Sequence, residues 1–322
     1  MQYNKKSIFA KLCGTVIVTL CAASVQADTT MRVREGDMSC DRACLNNFVD
    51  EYLDAMAAND ASRLPLTKDV RMTENTIQLN LTDGLWSTAR SIGKNKHYMA
   101  DVFAQQAGFI GVVFEADGPK MLALRLRIKN MEIKEIEMVT ARPGSSDPMG
   151  TNLENWAPAE GWSRVLKPSE RLPRAQMVQV ANQYFEAIEK DETGVAVWSD
   201  ECAFMQAREA NGGGSNLPNP DAPPMPPAFA NMGCDDMFGN DSMGSLEIPE
   251  RSFWVVDEEM GAVLGAFIFS SGAVGEMKMG GEVQNQINSG IIAEAFKIID
   301  GKIHRLDAVT GLTYAYGTRT GW

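Results

Sequence analysis

The chain has 322 residues, 44% of them hydrophobic and 22% charged, with a formal net charge of −12 at pH 7. An acidic chain repels phosphate backbones and anionic lipid surfaces, which argues against a nucleic-acid partner and against electrostatic adsorption to membranes. The length is enough for two domains with ordinary cores.

Residues 1–27 have the pattern of an export signal: Lys5, Lys6 and Lys11, a short apolar run from Leu12 to Ala23, and the small-residue site Val25-Gln26-Ala27. The run is too short for a transmembrane span, so the expectation is a periplasmic or secreted protein with no stable membrane insertion after cleavage. Removing this segment takes away three lysines and no acid, and the net charge moves from −12 to −15. Residues 28–39 read as a polar lead-in.

Four cysteines remain, Cys40, Cys44, Cys202 and Cys234. An even count in an exported chain points to disulfides, of which three pairings are possible. The simplest is Cys40–Cys44 with Cys202–Cys234, the first pinning the start of a helix and the second closing a long loop for roughly 3–4 kcal/mol in the chain-entropy reading. The two histidines, His97 and His304, lie too far apart for the spacings of a zinc site, so no metal is expected.

A helix is predicted over Leu45 to Ala58, with Leu45, Phe48, Val49, Tyr52, Leu53 and Met56 on one face, ending near Asn59-Asp60. A short helical turn from Ala61 to Leu66 and strands at Val70–Thr73 and Thr76–Leu81 follow. Further strands are predicted at Lys96–Val102, Gly108–Glu115, Met121–Lys129 and Ile133–Thr140, the last with Ile133, Glu135, Glu137 and Val139 on one side. Residues 143–171 are rich in proline and read as a linker on which Trp156 and Trp162 dock.

The order then repeats. Met177, Val180, Ala181, Tyr184, Phe185 and Ile188 stand 132 positions after the first helix face. Trp254 to Asp257 and Ala262 to Phe269 match the middle strands at an offset of 156, and Asp300 to Thr310 matches Asn130 to Thr140 at 170. The growing offset places two insertions in the second copy, one rich in Gly, Pro and Met near 208–250 and one from Ser270 to Gly290. Met225, Met232, Met237 and Met243 in the first suit an adaptable lid over an apolar ligand, or a loop folded onto its own domain by Cys234. Helix first and antiparallel meander after is an α+β arrangement.

A leading helix pair followed by a curved antiparallel sheet and the hairpin Asp300 to Val309, with the recurring Asp101 and Asp257, resembles the NTF2-like superfamily and its SnoaL-like branch. The resemblance implies two tandem cone domains, 40–142 and 172–322, each with N-terminal helices packed on its sheet. It also implies a pocket for a small, largely apolar organic molecule. Members of that superfamily include cofactor-independent lyases, isomerases and hydrolases as well as pure binding modules, so both an enzyme without cofactors and a non-catalytic ligand-binding or protein-interaction module are expected readings.

Such chemistry needs a carboxylate or imidazole in apolar surroundings. The candidates in the first copy are Glu74, Arg71, His97 and Tyr98, with His304 separate in the second; Tyr52, Trp86, Tyr184 and Trp254 are candidate substrate contacts. The bland alternatives are a structural Arg71–Glu74 pair, a surface His97 beside Lys96, and packing roles for the aromatics. Glu74 aligns with Gln206 and Arg71 with Ala203, so if Glu74 is catalytic the second copy has lost that chemistry, and either one copy is the active pocket and the other a scaffold or each binds something different. Asp101 and Asp257 read as turn residues that bond their own backbone. A glycan-active protein has only the tryptophans Trp86, Trp156, Trp162, Trp198 and Trp254 as sugar platforms. An exposed sheet face needs cover, which an internal pseudo-dimer of the two domains would supply.

Overall fold

A computed structural model describes residues 39–141, 153–208, 234–235, 246–271, 276–279, 282–285 and 289–311. The expected export signal and nearly all of the Met-rich insertion lie outside these residues.

The first copy runs α1 (Arg42–Ala58), β1 (Leu66–Glu74), β2 (Ile77–Leu79), α2 (Leu85–Thr88), β3 (Ser91–Asp101), β4 (Gln106–Glu115), β5 (Gly118–Lys129) and β6 (Glu132–Ala141). The second runs α3 (Arg174–Lys190), β7 (Trp198–Arg208), β8 (Leu246–Asp257), β9 (Ala262–Ser271), β10 (Glu276–Met279), β11 (Glu282–Asn285), β12 (Ser289–Ile299) and β13 (Lys302–Thr310). α3 begins and ends 132 residues after α1. Asn59 and Asp191, at the same offset, both stop their helices in the left-handed conformation that short polar side chains tolerate. Asp41 starts α1 by accepting a hydrogen bond from Cys44 N at 2.9 Å.

The first sheet has the order β2-β1-β6-β5-β4-β3 and the second β7-β13-β12-β9-β8, the same order apart from β2. The expected sheets were antiparallel throughout; both are mixed, because β1 runs parallel to β6 and β7 parallel to β13. The chain returns to pair its first long strand with its last, and that closing pair is the parallel one. Among the described residues each copy has one long helix rather than a pair. The cysteines pair as Cys40–Cys44 and Cys202–Cys234. No helix among the described residues is long and apolar enough to cross a membrane.

Alternation gives each sheet two apolar faces. One face of the first sheet packs with α1 around Tyr52, Trp86 and Phe109, and one face of the second packs with α3 around Phe185, Phe267 and Phe296. The remaining faces share a third cluster, where Met99, Ile110 and Ala123 meet Val255, Leu264 and Ala293. Trp156 and Trp162, from the proline-rich segment 153–170, are buried in this cluster, so that segment is packed structure rather than a bare connection.

The edges of the two sheets exchange matching contacts. Asp101 and Asp257, both buried, hold their own turns by accepting from Ala104 N and Met260 N. Each also reaches into the other copy: Asp257 Oδ2 accepts from Ala100 N at 2.9 Å, and Asp101 Oδ2 accepts from Val256 N at 3.0 Å. Arg42, the first residue of α1, donates to both oxygens of Asp257 at 2.8 and 2.5 Å. Arg174, the first residue of α3, pairs with Asp101 at 2.5 Å. The two holds differ in detail: Arg42 spans both oxygens of Asp257 and gives Nε to Glu259 at 2.9 Å, whereas Arg174 meets Asp101 at Oδ2 and its guanidinium lies 5.5 Å from the centre of the Phe103 ring.

Removing one side of a buried pair leaves the other charge uncompensated. Arg42→Ala is expected to lower stability to urea by about 3 kcal/mol, with part of the loss recovered by adding Asp257→Asn. A loss under about 0.5 kcal/mol would place the pair with ordinary exposed ion pairs.

Candidate functional site

The four residues singled out in the first copy occupy three separate places. Glu74 faces α1, and Arg71, an odd number of positions earlier on β1, faces away, so the expected Arg71–Glu74 pair does not face one space. Glu74 Oε2 accepts from Leu85 N at 2.7 Å and Oε1 from Thr140 Oγ1 at 3.2 Å. Gly84 passes close over this carboxylate, where an added Cβ would stand 2.2 Å from Oε2. Glu74 thereby anchors α2, which sets Trp86 edge-on against Tyr52 at 5.3 Å between ring centres. Tyr52 donates to Met138 Sδ at 3.5 Å, and burial, helped by the Glu74 charge, pushes its hydroxyl pKa upward. Tyr52, Trp86, Phe109 and Leu124 are each 0% exposed: the space beneath α1 is filled with protein.

Tyr98 lies at the edge of α1, donating to Asp50 Oδ1 at 2.6 Å, and its pKa is raised by burial and then by Asp50. His97 points the other way, into the layer between the sheets. It is buried, and so is not the surface residue of the bland alternative. Its ring lies 4.3 Å from that of Trp162, whose Nε1 donates to Asp307 Oδ2 at 2.6 Å, and Asp307 pairs with Arg305 at 2.8 Å. Burial, then Lys297 and Arg305, lowers the His97 pKa to about 3, so the imidazole is neutral at physiological pH. Simple alternation along the strand would put His304 on one face with Leu306 and Ala308. A register shift between Ile303 and Arg305 instead places Ile303 in the α3-side cluster with Leu306, and leaves His304 half-buried at the irregularity. Trp254 is buried between the sheets, away from the α3 side. Among the described residues no group of His, Cys, Asp and Glu is arranged to hold a metal ion.

In the second copy the equivalent interior is different. Glu294, on β12, is 1% exposed beneath α3, and its Oε1 accepts from Tyr184 OH at 3.0 Å. Its Oε2 is buried without a partner. Tyr184 is held by the rings of Phe185, Phe296 and Trp198 at 5.0, 5.5 and 5.9 Å. Burial raises the Glu294 pKa to about 8, against the lowering effect of the Tyr184 hydrogen bond. At neutral pH Glu294 is therefore largely a neutral carboxylic acid, a proton donor in an apolar site.

The strand ladders show how this site is made. In the first sheet Leu124 on β5 pairs with Phe109 on one side and Met138 on the other. In the second, Glu294 on β12 pairs with Gly265 and Ala308. The repeat offsets make these equivalent positions, so one row across three strands has changed from Phe-Leu-Met to Gly-Glu-Ala. Ala308 stands where the first copy has Met138, and the Phe267 ring covers Gly265, where an added Cβ would stand 2.5 Å from its Cζ, much as the Phe109 ring covers Gly111 in the first copy; the acid is the new feature of the row. The next position in the row is Glu74 in the first sheet and Gln206 in the second. Sequence reasoning missed Glu294, although an acid inside the run Ile291-Ile292-Ala293-Glu294-Ala295-Phe296, opposite Leu124 at the offset of 170, was its available signal.

A family model described as a domain of unknown function, DUF8021, matches residues 170–310, the segment that contains this site. No curated protein matches the chain. Among solved structures, that of AclR, described as a supposed hydroxylase from Streptomyces galilaeus, is similar at 13% identity over 44% of this chain and 81% of that one, with a TM-score of 0.28. So low a score carries no argument about fold or function.

A carboxyl group whose folded pKa is raised holds its proton where the unfolded chain releases it. Its stabilising share is complete below the unfolded pKa near 4.5 and is lost as pH rises towards about 8. Glu294→Gln is therefore expected to gain stability over the native chain by about 1.4 kcal/mol per pH unit across that window, read from urea midpoints at several pH values. A difference that does not change with pH would mean that Glu294 is ionised in the fold.

Proposed function

We propose that this is an exported SnoaL-like protein, periplasmic or secreted. In this reading it has two NTF2-like cone domains set back to back as an internal pseudo-dimer, and the second cone binds a small, largely apolar organic molecule. Glu294 is the acid/base group, working without a cofactor, and Tyr184 is its hydrogen-bond partner; the reaction class is a lyase, isomerase or hydrolase step. The observation that carries this reading is the buried Glu294 carboxyl, with one oxygen on Tyr184 and the other unpartnered, between Gly265 and Ala308. A protonated carboxyl in such surroundings gives a proton to a developing anion and takes it back, which is worth ~10²–10⁴ in rate when the geometry is right. The closed interior of the first copy supports a scaffolding role for that half.

A second reading, a binding module without chemistry, is favoured by the same carboxyl acting as a fixed hydrogen-bond donor. The two differ in what Glu294→Gln does, because an amide still donates but cannot transfer a proton. The test is native mass spectrometry of the protein with whatever small molecule co-purifies, followed by turnover of that molecule. The acid/base reading expects conversion by the native chain and a loss of ~10²-fold or more in Glu294→Gln with binding retained. A ligand recovered unchanged, or full activity in the variant, leaves the binding module. Ala308→Met, which restores the first copy's side chain, is expected to block binding while the chain stays folded.

A further inference from the structure

Beside the Glu294 interior there is a cavity of about 350 Å³, lined by Trp198, Ser199 and Asp200 of β7, by the Cys202–Cys234 bridge and by Asp235. Trp198 belongs to both spaces: it lines the cavity and meets Tyr184 edge-on at 5.9 Å, and Tyr184 holds Glu294. The volume is at the small end for ligand sites and suits a single ring with a short chain. An indole and a disulfide give it a flat, polarizable wall, and Ser199 Oγ is shut off from water without a hydrogen-bond partner. Among the described residues its charged lining is two carboxylates; Asp235 accepts from Gly194 N, and Asp200 is exposed. In a chain of net charge −12 this repels anions, while an aromatic face beside carboxylates attracts cations.

We infer that this cavity is the binding cleft of the Glu294 site and that it takes a small arylalkylamine, one aromatic ring with a short aminoalkyl chain, in preference to the matching carboxylate. The inference rests on the function proposed above for the second copy, and deepens it by naming the substrate class.

The experiment is calorimetric titration of the full chain, disulfides intact, with tyramine and with 4-hydroxyphenylacetate, molecules of similar size and opposite charge. Tyramine is expected to bind one per chain, with the carboxylate at least ~10-fold weaker. Asp200→Lys alters an exposed residue and leaves the core intact; it is expected to weaken tyramine ~5-fold and narrow the preference. Trp198→Ala is expected to cost ~10-fold or more. No saturable tyramine binding, equal affinity for the two compounds, or tyramine affinity indifferent to both substitutions overturns the inference. Glu294→Gln keeps the two readings apart. If it spares turnover of the co-purified molecule while Trp198-dependent tyramine binding persists, the acid/base reading falls and the cleft stands. If it abolishes turnover while tyramine does not bind, the reverse holds.

Discussion

The reciprocal hold between arginine and aspartate is the constraint on which the rest of the arrangement depends. Burying a carboxylate is costly unless its lone pairs are used. Asp257 has a guanidinium on both oxygens, a backbone N–H from its own turn and one from the other copy; Asp101 has the two matching backbone N–H groups and a guanidinium at Oδ2. Neither aspartate can be satisfied within its own half of the chain. The pairing sets β3 beside β8, which turns the faces of Met99 and Leu264 toward one another and encloses His97, Trp162 and Asp307. Burial of the imidazole, and its depressed pKa, follow from that enclosure.

With the two sheets fixed in this way, each α-helix covers only its own interior, and the two interiors have diverged. The first is closed: Glu74 is used to anchor α2, and Trp86, Phe109, Leu124 and Met138 occupy the volume. The second has Phe267 over Gly265 and Ala308 in place of Met138, and holds a carboxylic acid with an unsatisfied oxygen. A buried acid left with an unsatisfied oxygen in an otherwise consistent fold is the physical mark of a site retained for something other than folding.

The repeat was legible because the helix faces recur at one phase, with Tyr52 and Tyr184 and the stop residues Asn59 and Asp191 at the same spacing. The roles of Asp101 and Asp257 were half legible: the turn bonds follow from local chemistry, but the reach across to Ala100 and Val256 joins residues more than 150 positions apart. The parallel closing strands left no periodic signature. Simple alternation also failed at the same point in both copies. Register shifts put Ile133 and Ile303 with the helix-side clusters, so faces assigned by counting in twos were wrong for Ile133 and for His304. Glu294 escaped because the insertion preceding β12 interrupts the alignment before the strand resumes its match with β5.

Arg42 and Asp257 are separated by 215 residues. During synthesis α1 and its sheet are complete long before their carboxylate partner exists, and over that interval the face of Ile110, Val112 and Ala123 has nothing to pack against. The native contact order is correspondingly high, which slows folding and lengthens the time a sticky surface is exposed. Because each half carries both an arginine and an aspartate, two unfinished chains at high concentration can complete each other's pairs, making an intertwined dimer the natural misassembly of this fold.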